Sequence, residues 1–473
     1  MEKMASDLQR LIQQSKKIND GPPARYQLQM KRVNLDKESD EESKLRRFTL
    51  GECDPRHVNR TILLVGETGS GKSTLINALV NFVMGVEFED KVWFEVISDE
   101  KDRPQSESQT SAVSVYEIFG FEGKTVPYSL SIIDTPGYGD TGGLDKDERI
   151  IKLLQDLFCH PQGVDTVSAV CLVMKASVNR LDDRVAYVFK SVTSLFAKDM
   201  EQNIVVMMTH SDGRKPTNAL KALEAAEIKV AKNDKNEPVY FLFNNSQKEK
   251  IGNEKRAAKN AFETSNDGMK EFTDFLVQAK SQSVKMTVEV MEERIRLKAN
   301  IQKLVERVKE VEMKREVIRK NREKLARCEE EVEENKDFQQ QETYEEKERI
   351  RAWWNWFNLR KNVTKTRTVT NHNMKTRYEQ NKTKSEETTS LLQDLKKEEV
   401  ELQQKKIKYL NKVFDVIVRL ERIALNEDSV STYIHLEFLI EKMKETRDKE
   451  KVKKLEEMRD RNKKNKSRAN DLK

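Results

Sequence analysis

Residues 66–73 read Gly66-Glu67-Thr68-Gly69-Ser70-Gly71-Lys72-Ser73, with Thr74 following. Their spacing fits G-x-x-x-x-G-K-[ST], and each residue type has a task in holding a phosphate. The glycines let the backbone wrap closely, and successive N–H groups and a helix N-terminus supply positive potential. Lys72 would bridge the β- and γ-phosphates, and the Ser73 hydroxyl would bind Mg²⁺. The motif follows an apolar run at 61–65 and opens a stretch with Leu75, Ile76 and Leu79 at helical spacing. That strand–loop–helix context is the one the chemistry needs.

Two further groups lie at the ends of apolar runs. Asp134-Thr135-Pro136-Gly137 closes the run 130–133. A carboxylate there can reach Mg²⁺ through water, and the Gly137 amide can sense a γ-phosphate, so the next segment would switch with nucleotide state. Thr209-His210-Ser211-Asp212 follows the run 204–208. Asp212 would accept hydrogen bonds from guanine N1 and its exocyclic amine, a donor pattern adenine lacks, while His210 would cover the ring. Asn244 or Asn245, after the run 239–243, would complete the base pocket.

The runs at 61–65, 128–133, 167–174, 204–208 and 239–243 alternate with helical stretches, which predicts a parallel α/β sheet. Ahead of them, residues 1–47 are polar and charge-mixed, broken at Gly21-Pro22-Pro23, and read as an extension preceding a domain at 48–280. All nine prolines lie at or before Pro238 and all sixteen glycines at or before Gly268. Without turn residues after that point, residues 281–473 are predicted to be long helices. Apolar stripes agree: Val284, Val288, Met291 and Ile295, then Leu304, Val308 and Val311, and later Ile407, Leu410, Phe414 and Ile417. Arg315 and Arg322 interrupt the seam. The expected arrangement is an antiparallel coiled-coil hairpin with its tip near 351–384, a turn near 426–432 and one last charged helix. A helix from near 284 to 350 would span on the order of 100 Å.

Charged residues are 36% of the chain, and the 48 Lys+Arg against 38 Asp+Glu in 281–473 give that region +10. The excess is concentrated at 351–384, where nine basic residues face one acid, Glu379, beside Trp353, Trp354, Trp356 and Phe357. Aromatic rings with basic neighbours suit an anionic membrane surface or an acidic partner, though the same rings could instead close the hairpin as a small core. No nucleic-acid motif is present. Cys53, Cys159, Cys171 and Cys328 are too scattered for a zinc knuckle or a disulfide framework. No signal peptide, myristoylation glycine or long apolar run is found, so a cytoplasmic protein is expected, peripheral to a membrane if the tip binds one.

The ordered set resembles the septin-like branch of P-loop GTPases. Residues 66–75 (GETGSGKSTL) and 132–140 (IIDTPGYGD) look like septin motifs. The Asn179-Arg180-Leu181-Asp182-Asp183 segment leading to Leu195-Phe196, the histidine in THSD and Phe243-Asn244-Asn245 look more like the immunity-associated GTPases (GIMAP, AIG-type). The resemblance covers roughly 60–275. It implies an α/β fold, a P-loop GTPase domain with a mostly parallel sheet, followed here by the α-helical coiled-coil hairpin. It also implies GTP/GDP and Mg²⁺ as ligands and assembly as a homodimer or higher oligomer, which the coiled coil could reinforce. The family pattern further places a Mg²⁺-binding switch threonine between the P-loop and Asp134, where Thr110 or Ser111 fits. Thr110 and Lys72 are then the catalytic candidates. Tyr138 stands where many small GTPases carry a water-positioning glutamine, so hydrolysis should be slow or need a group from a second molecule. Two rivals remain: a GTP-binding scaffold that does not hydrolyse, and a coiled-coil ATPase. Against the ATPase, the helices follow the P-loop domain instead of splitting it, and no LSGGQ signature occurs.

Overall fold

The computed structural model describes residues 2–36, 44–97, 112–137, 144–181, 183–247, 255–350, 359–426 and 430–471. The chain forms two units, Met1–Leu297 with Asp415–Lys473, and Lys298–Phe414. It begins with α1 (Glu2–Gln14), β1 (Lys16–Asn19), β2 (Ala24–Gln27), β3 (Lys31–Asn34) and β4 (Leu45–Leu50). Next come β5 (Asn59–Gly66), α2 (Lys72–Met84), β6 (Val92–Glu95), β7 (Val113–Ile118), β8 (Ser129–Asp134) and α3 (Leu144–Cys159). They are followed by β9 (Thr166–Val167), β10 (Ala169–Lys175), α4 (Asp183–Thr193), β11 (Ile204–Thr209), α5 (Thr217–Ala225), β12 (Tyr240–Leu242), α6 (Lys255–Gln278) and β13 (Gln282–Ser283). The remainder is α7 (Lys285–Glu334), β14 (Gln339–Ile350), β15 (Leu359–Thr370), α8 (His372–Ile423), α9 (Val430–Lys444) and α10 (Lys449–Asp471).

The main sheet has the order β12-β11-β10-β5-β8-β7-β4-β3. The five strands from β12 to β8 are parallel, whereas β7 runs antiparallel to β8 and β3 antiparallel to β4. Strand β5 is apolar on both faces because both faces are covered. Leu63 and Val65 join a core that includes Leu154 and Phe189 of α3 and α4, while Ile62 and Leu64 join one that includes Leu75 of α2 and Phe272 of α6. From β8 the chain crosses β5 to reach β10, so the strand order reverses around β5. In open α/β sheets the crevice at the strand C-termini beside such a reversal is where ligands bind. The 66–73 loop, Asp134 and residues 209–212 all leave the sheet at those C-termini.

The opening segment is not a separate extension. Strand β2 pairs with β6, β3 pairs with β4, and Leu8, Leu28 and Leu35 are buried. These three leucines are too widely spaced to show a period, and β2 pairs with β6, a partner the local sequence does not contain.

In the unit Lys298–Phe414 the two long helices run antiparallel. Lys303 stands over the Tyr409 ring, Arg315 pairs with Glu399, Ile318 clusters with Leu392 and Leu395, and Asn381 donates to Glu331. Charge helps set this register. The stretch 307–327 of α7 is rich in Lys and Arg and lies along the Glu-rich 386–401 of α8. Arg315, the expected break in the seam, turns outward into that ion pair. Several expectations need correction here. Helix α7 stops at Glu334, and β14 and β15 form a two-stranded ribbon with Gln339 opposite Thr370 and Ile350 opposite Leu359. Absence of glycine and proline permits a helix but does not select one, and the β-branched alternation of β15 favours an extended chain. Ile295 and Ile407 are exposed. Two helices, α9 and α10, replace the single last one, joined by a short non-helical link before Asp448. Lys365 pairs with Glu346 and Arg367 with Glu342, so acids of β14 answer part of the basic excess counted at 351–384. Trp353, Trp354, Trp356 and Phe357 lie outside the described residues.

The chain re-enters the first unit at Asp415, within α8, and just after that helix it bonds to the residues around Phe196. The Leu425 N–H donates to Phe196 O, Asn426 donates to the Thr193 hydroxyl, and the half-buried Arg294 donates to Ser194 O and Asn426 O. Among the described residues no helix is long and apolar enough to cross a membrane.

Candidate functional site

The 66–73 loop leaves β5 and turns into α2 at Gly71, whose φ of +92° lies in the left-handed region where a side chain would be strained. Helix α2 is held by burial of Leu75, Ile76, Leu79, Val80 and Val83, so its N-terminus is fixed against the loop. Lys72 is buried, and its ammonium donates to Gly66 O at 2.8 Å and Glu67 O at 3.1 Å. Burial pushes its pKa down to about 8, with the Asp134 and Glu67 carboxylates pulling the other way. The Thr68 and Ser70 hydroxyls are buried without a partner among the described residues. Ser73 and Thr74, in the first turn of the helix, are half-buried.

Asp134 is fully buried at the end of β8 and faces Lys72, and Thr135 anchors that end by donating to Leu64 O at 3.0 Å. Gly137 lies hard against the loop: a Cβ there would come within 2.2 Å of Thr68 Oγ1 and 2.9 Å of its backbone nitrogen. Only glycine permits this approach. It puts the position expected to sense a γ-phosphate directly on the phosphate loop.

Thr209 joins the third group to the first, donating its hydroxyl hydrogen to Ser70 O at 2.7 Å while lying 3.2 Å from Met174 O. The chain then turns sharply, with His210 at φ +52° and its imidazole exposed. Asp212 is exposed, one carboxylate oxygen accepting the Arg214 N–H at 3.0 Å. The buried Ser211 donates its N–H to Phe243 O at 2.9 Å, which brings the loop after β12 beside it. Asn244 and Asn245 are half-buried in that loop.

The structure therefore gathers Gly66, Glu67, Thr68, Gly69, Ser70, Gly71, Lys72, Ser73 and Thr74 with Asp134 and Gly137 at one end of the sheet. Thr209, His210, Asp212, Asn244 and Asn245 form the adjoining loops. Thr110, Ser111 and Tyr138 lie outside the described residues. Among the described residues no group of three or more His, Cys, Asp or Glu could hold a metal alone, so Mg²⁺ at Ser73 and Asp134 would need phosphate oxygens as well. Two residues went unnoticed in the sequence, Gln247 and Ser265. Gly268 is the signal that could have led to them. A glycine inside a helical pattern marks a close approach; a Cβ at Gly268 would come 2.1 Å from Leu242 O, so α6 rests on β12, with Ser265 three residues away on the same face.

Residues 60–262 match the AIG1 family, the immunity-associated side of the resemblance. No curated protein matches the chain. Among solved structures the chain is similar to Toc33 from Arabidopsis thaliana in complex with Mg²⁺ and GMPPNP. The identity is 17%, covering 48% of this chain and 88% of that one, with a TM-score of 0.32. It is also similar to LeoA, a bacterial dynamin GTPase from ETEC, at 14% identity over 58% of this chain and 46% of that one, with a TM-score of 0.28.

Proposed function

We propose that this chain is a guanine-nucleotide-binding protein that hydrolyses GTP slowly, or only when its G domains pair, and whose nucleotide state controls that pairing. The observation that carries the proposal is the Thr209–Ser70 hydrogen bond, which joins the phosphate loop to the loop bearing Asp212. One ligand with a phosphate chain at one end and a purine at the other fits that spacing of functions, and the AIG1 match over 60–262 supports the class. GTP/GDP with Mg²⁺ are the ligands of this reading. Ser73 and Asp134 would hold Mg²⁺, which neutralises charge on the β- and γ-phosphates when bound. Lys72 would exchange its loop carbonyls for phosphate oxygens, a gain because a buried ammonium prefers an anionic partner to neutral carbonyls. Asp212 would read the N1–H and amino edge of guanine.

Titration of the purified chain with GDP, GTP, ADP and ATP tests base choice. Preference for guanine by about a hundredfold, relaxed in Asp212→Asn, is expected, since a bidentate donor pair is at stake. Equal affinity for adenine nucleotides would favour the coiled-coil ATPase. Turnover per molecule should rise with protein concentration. A fast rate unchanged on dilution would mean one molecule holds the full catalytic set, and no turnover at any concentration would favour the non-hydrolysing scaffold with septin-like character.

The same reading keeps the protein cytoplasmic, a placement supported by its four free cysteines, and gives residues 351–384 an anionic membrane or acidic partner. What supports this is the composition of that stretch, nine basic residues against the single acid Glu379 beside four large aromatics. Loss of vesicle binding when Trp353, Trp354, Trp356 and Phe357 become serine, with unchanged melting, is the expected outcome. Unchanged binding would remove that partner.

A further inference from the structure

The loop after β12 is held by one side chain of α6. Ser265, 5% exposed, accepts the Asn244 N–H at 2.9 Å and lies 3.2 Å from Gln247 Nε2 and 3.0 Å from Asn245 Oδ1. Hydrogen count and distance together orient this cluster. Gln247 Nε2 also lies 2.9 Å from Asn244 O and 3.5 Å from Ala261 O, both acceptors only, so that atom is the amide nitrogen; one hydrogen goes to Asn244 O and the other to Ser265, the nearer of the two remaining acceptors. With two donors already directed at its oxygen, the Ser265 hydroxyl has one hydrogen left, and it goes to Asn245. The Asn245 atom facing Ser265 must then be the carbonyl oxygen. The amide nitrogen Nδ2 is turned to the other side, where it is buried with no partner among the described residues. Gln247 Oε1 is buried unpartnered as well.

A buried donor without a partner costs about 1–3 kcal/mol. The cost is recovered if a ligand brings an acceptor. Guanine presents N1–H and its amine on the edge assigned to Asp212, and the acceptors O6 and N7 on the neighbouring edge. Adenine carries an amine in place of O6, which would meet the Asn245 N–H donor to donor. The base loop and the Asn245 loop are neighbours through the Ser211–Phe243 bond.

We infer that Ser265 is a positioning residue for guanine recognition: its hydroxyl holds the Asn245 amide so that Nδ2 is presented to the O6/N7 edge of the base. This rests on the guanine-nucleotide reading above and adds to it a determinant outside the base-loop motif, on a helix.

The test is calorimetric titration of the full chain with Mg²⁺-GDP, ADP and Mg²⁺-pyrophosphate, for wild type, Ser265→Ala, Ser265→Cys, Ser265→Thr, Asn245→Ala and the double Ser265→Ala/Asn245→Ala. Ser265→Ala and Ser265→Cys should each weaken GDP about tenfold, while pyrophosphate, which touches only the phosphate loop, binds as before. Cysteine keeps the volume and is a poor donor, so it reports on the hydrogen bond even if the alanine variant is unstable. Ser265→Thr, which keeps the hydroxyl, should stay within about twofold of wild type, and the double variant should lose no more than Asn245→Ala alone. GDP affinity unchanged in Ser265→Cys, equal losses for GDP and pyrophosphate, or additive losses in the double variant would each overturn the inference. Wild type that binds GDP and ADP equally would instead remove the guanine reading on which it stands.

Discussion

The C-terminal end of the main sheet and the helix pair of Lys298–Phe414 use charge in opposite ways. At the sheet end, charged groups are few, buried and individually necessary: Lys72 is enclosed by its loop and Asp134 has no exposed surface. Along the helix pair, charges are many and mostly solvated, as in Arg315 with Glu399 and Arg319 with Glu316. Buried charge is costly unless it meets a specific partner, so it persists where a ligand repays the cost. Solvated pairs contribute little each and act together, setting register and solubility. A single change should therefore abolish function at the sheet end and leave stability nearly intact, whereas in the helix pair only the apolar seam should matter.

The largest break in this contrast is Lys72→Ala. It should lower Mg²⁺-GTP affinity on the order of a thousandfold in equilibrium titration while leaving the melting temperature near or above wild type, because a desolvated charge is removed. A large fall in melting temperature would show Lys72 to be a structural pillar instead. Next is Leu410→Ala. Leu410 is fully buried, so a denaturant melt should record a loss of about 2–5 kcal/mol with GDP affinity unchanged. Loss of GDP binding in that variant would erase the division between the regions.

A smaller effect follows from the pKa of Lys72. Burial lowers it to about 8 in the free protein, whereas phosphate contact favours the charged form and holds it higher. Binding above that value must take up a proton, so GDP affinity should be flat below pH 8 and weaken as pH rises past it, by about tenfold near pH 9. For folding the sign is reversed. Between pH 8 and the unfolded value of 10.5 the unfolded chain binds more protons, so the penalty for burying this charge is full below pH 8 and relieved as pH rises through that window. Lys72→Met should lose both dependences, and a retained slope in the binding curve would assign it to another group. The smallest effect is Arg315→Ala, a half-exposed member of its ion pair, which should cost less than about 1 kcal/mol in the same denaturant melt.

Much of the site was legible as words at strand ends. The eight residues from Gly66 to Ser73, the Asp134 group and the Thr209 group each follow an apolar run, and parallel strands covered on both faces must be apolar throughout. Glycine and proline usage separated the mixed domain from the helices. What local pattern could not show was pairing at long range. Strand β2 finds its partner β6 far along the chain, and the ribbon β14–β15 reads as a helix wherever breakers alone are consulted.

By itself the sequence determined which residues can hold phosphate, metal and base, and that strands and helices alternate around them, because those properties depend on residue type and near-neighbour spacing. Tertiary structure alone decided that Thr209 bonds the phosphate loop, that Gly137 rests on Thr68, that Arg294 bonds the returning chain at Asn426, and that Ser265 fixes the Asn245 amide. Each of these joins residues far apart in sequence through one hydrogen bond or one close approach. Such a contact exists only once the sheet has placed both partners within about 3 Å of each other.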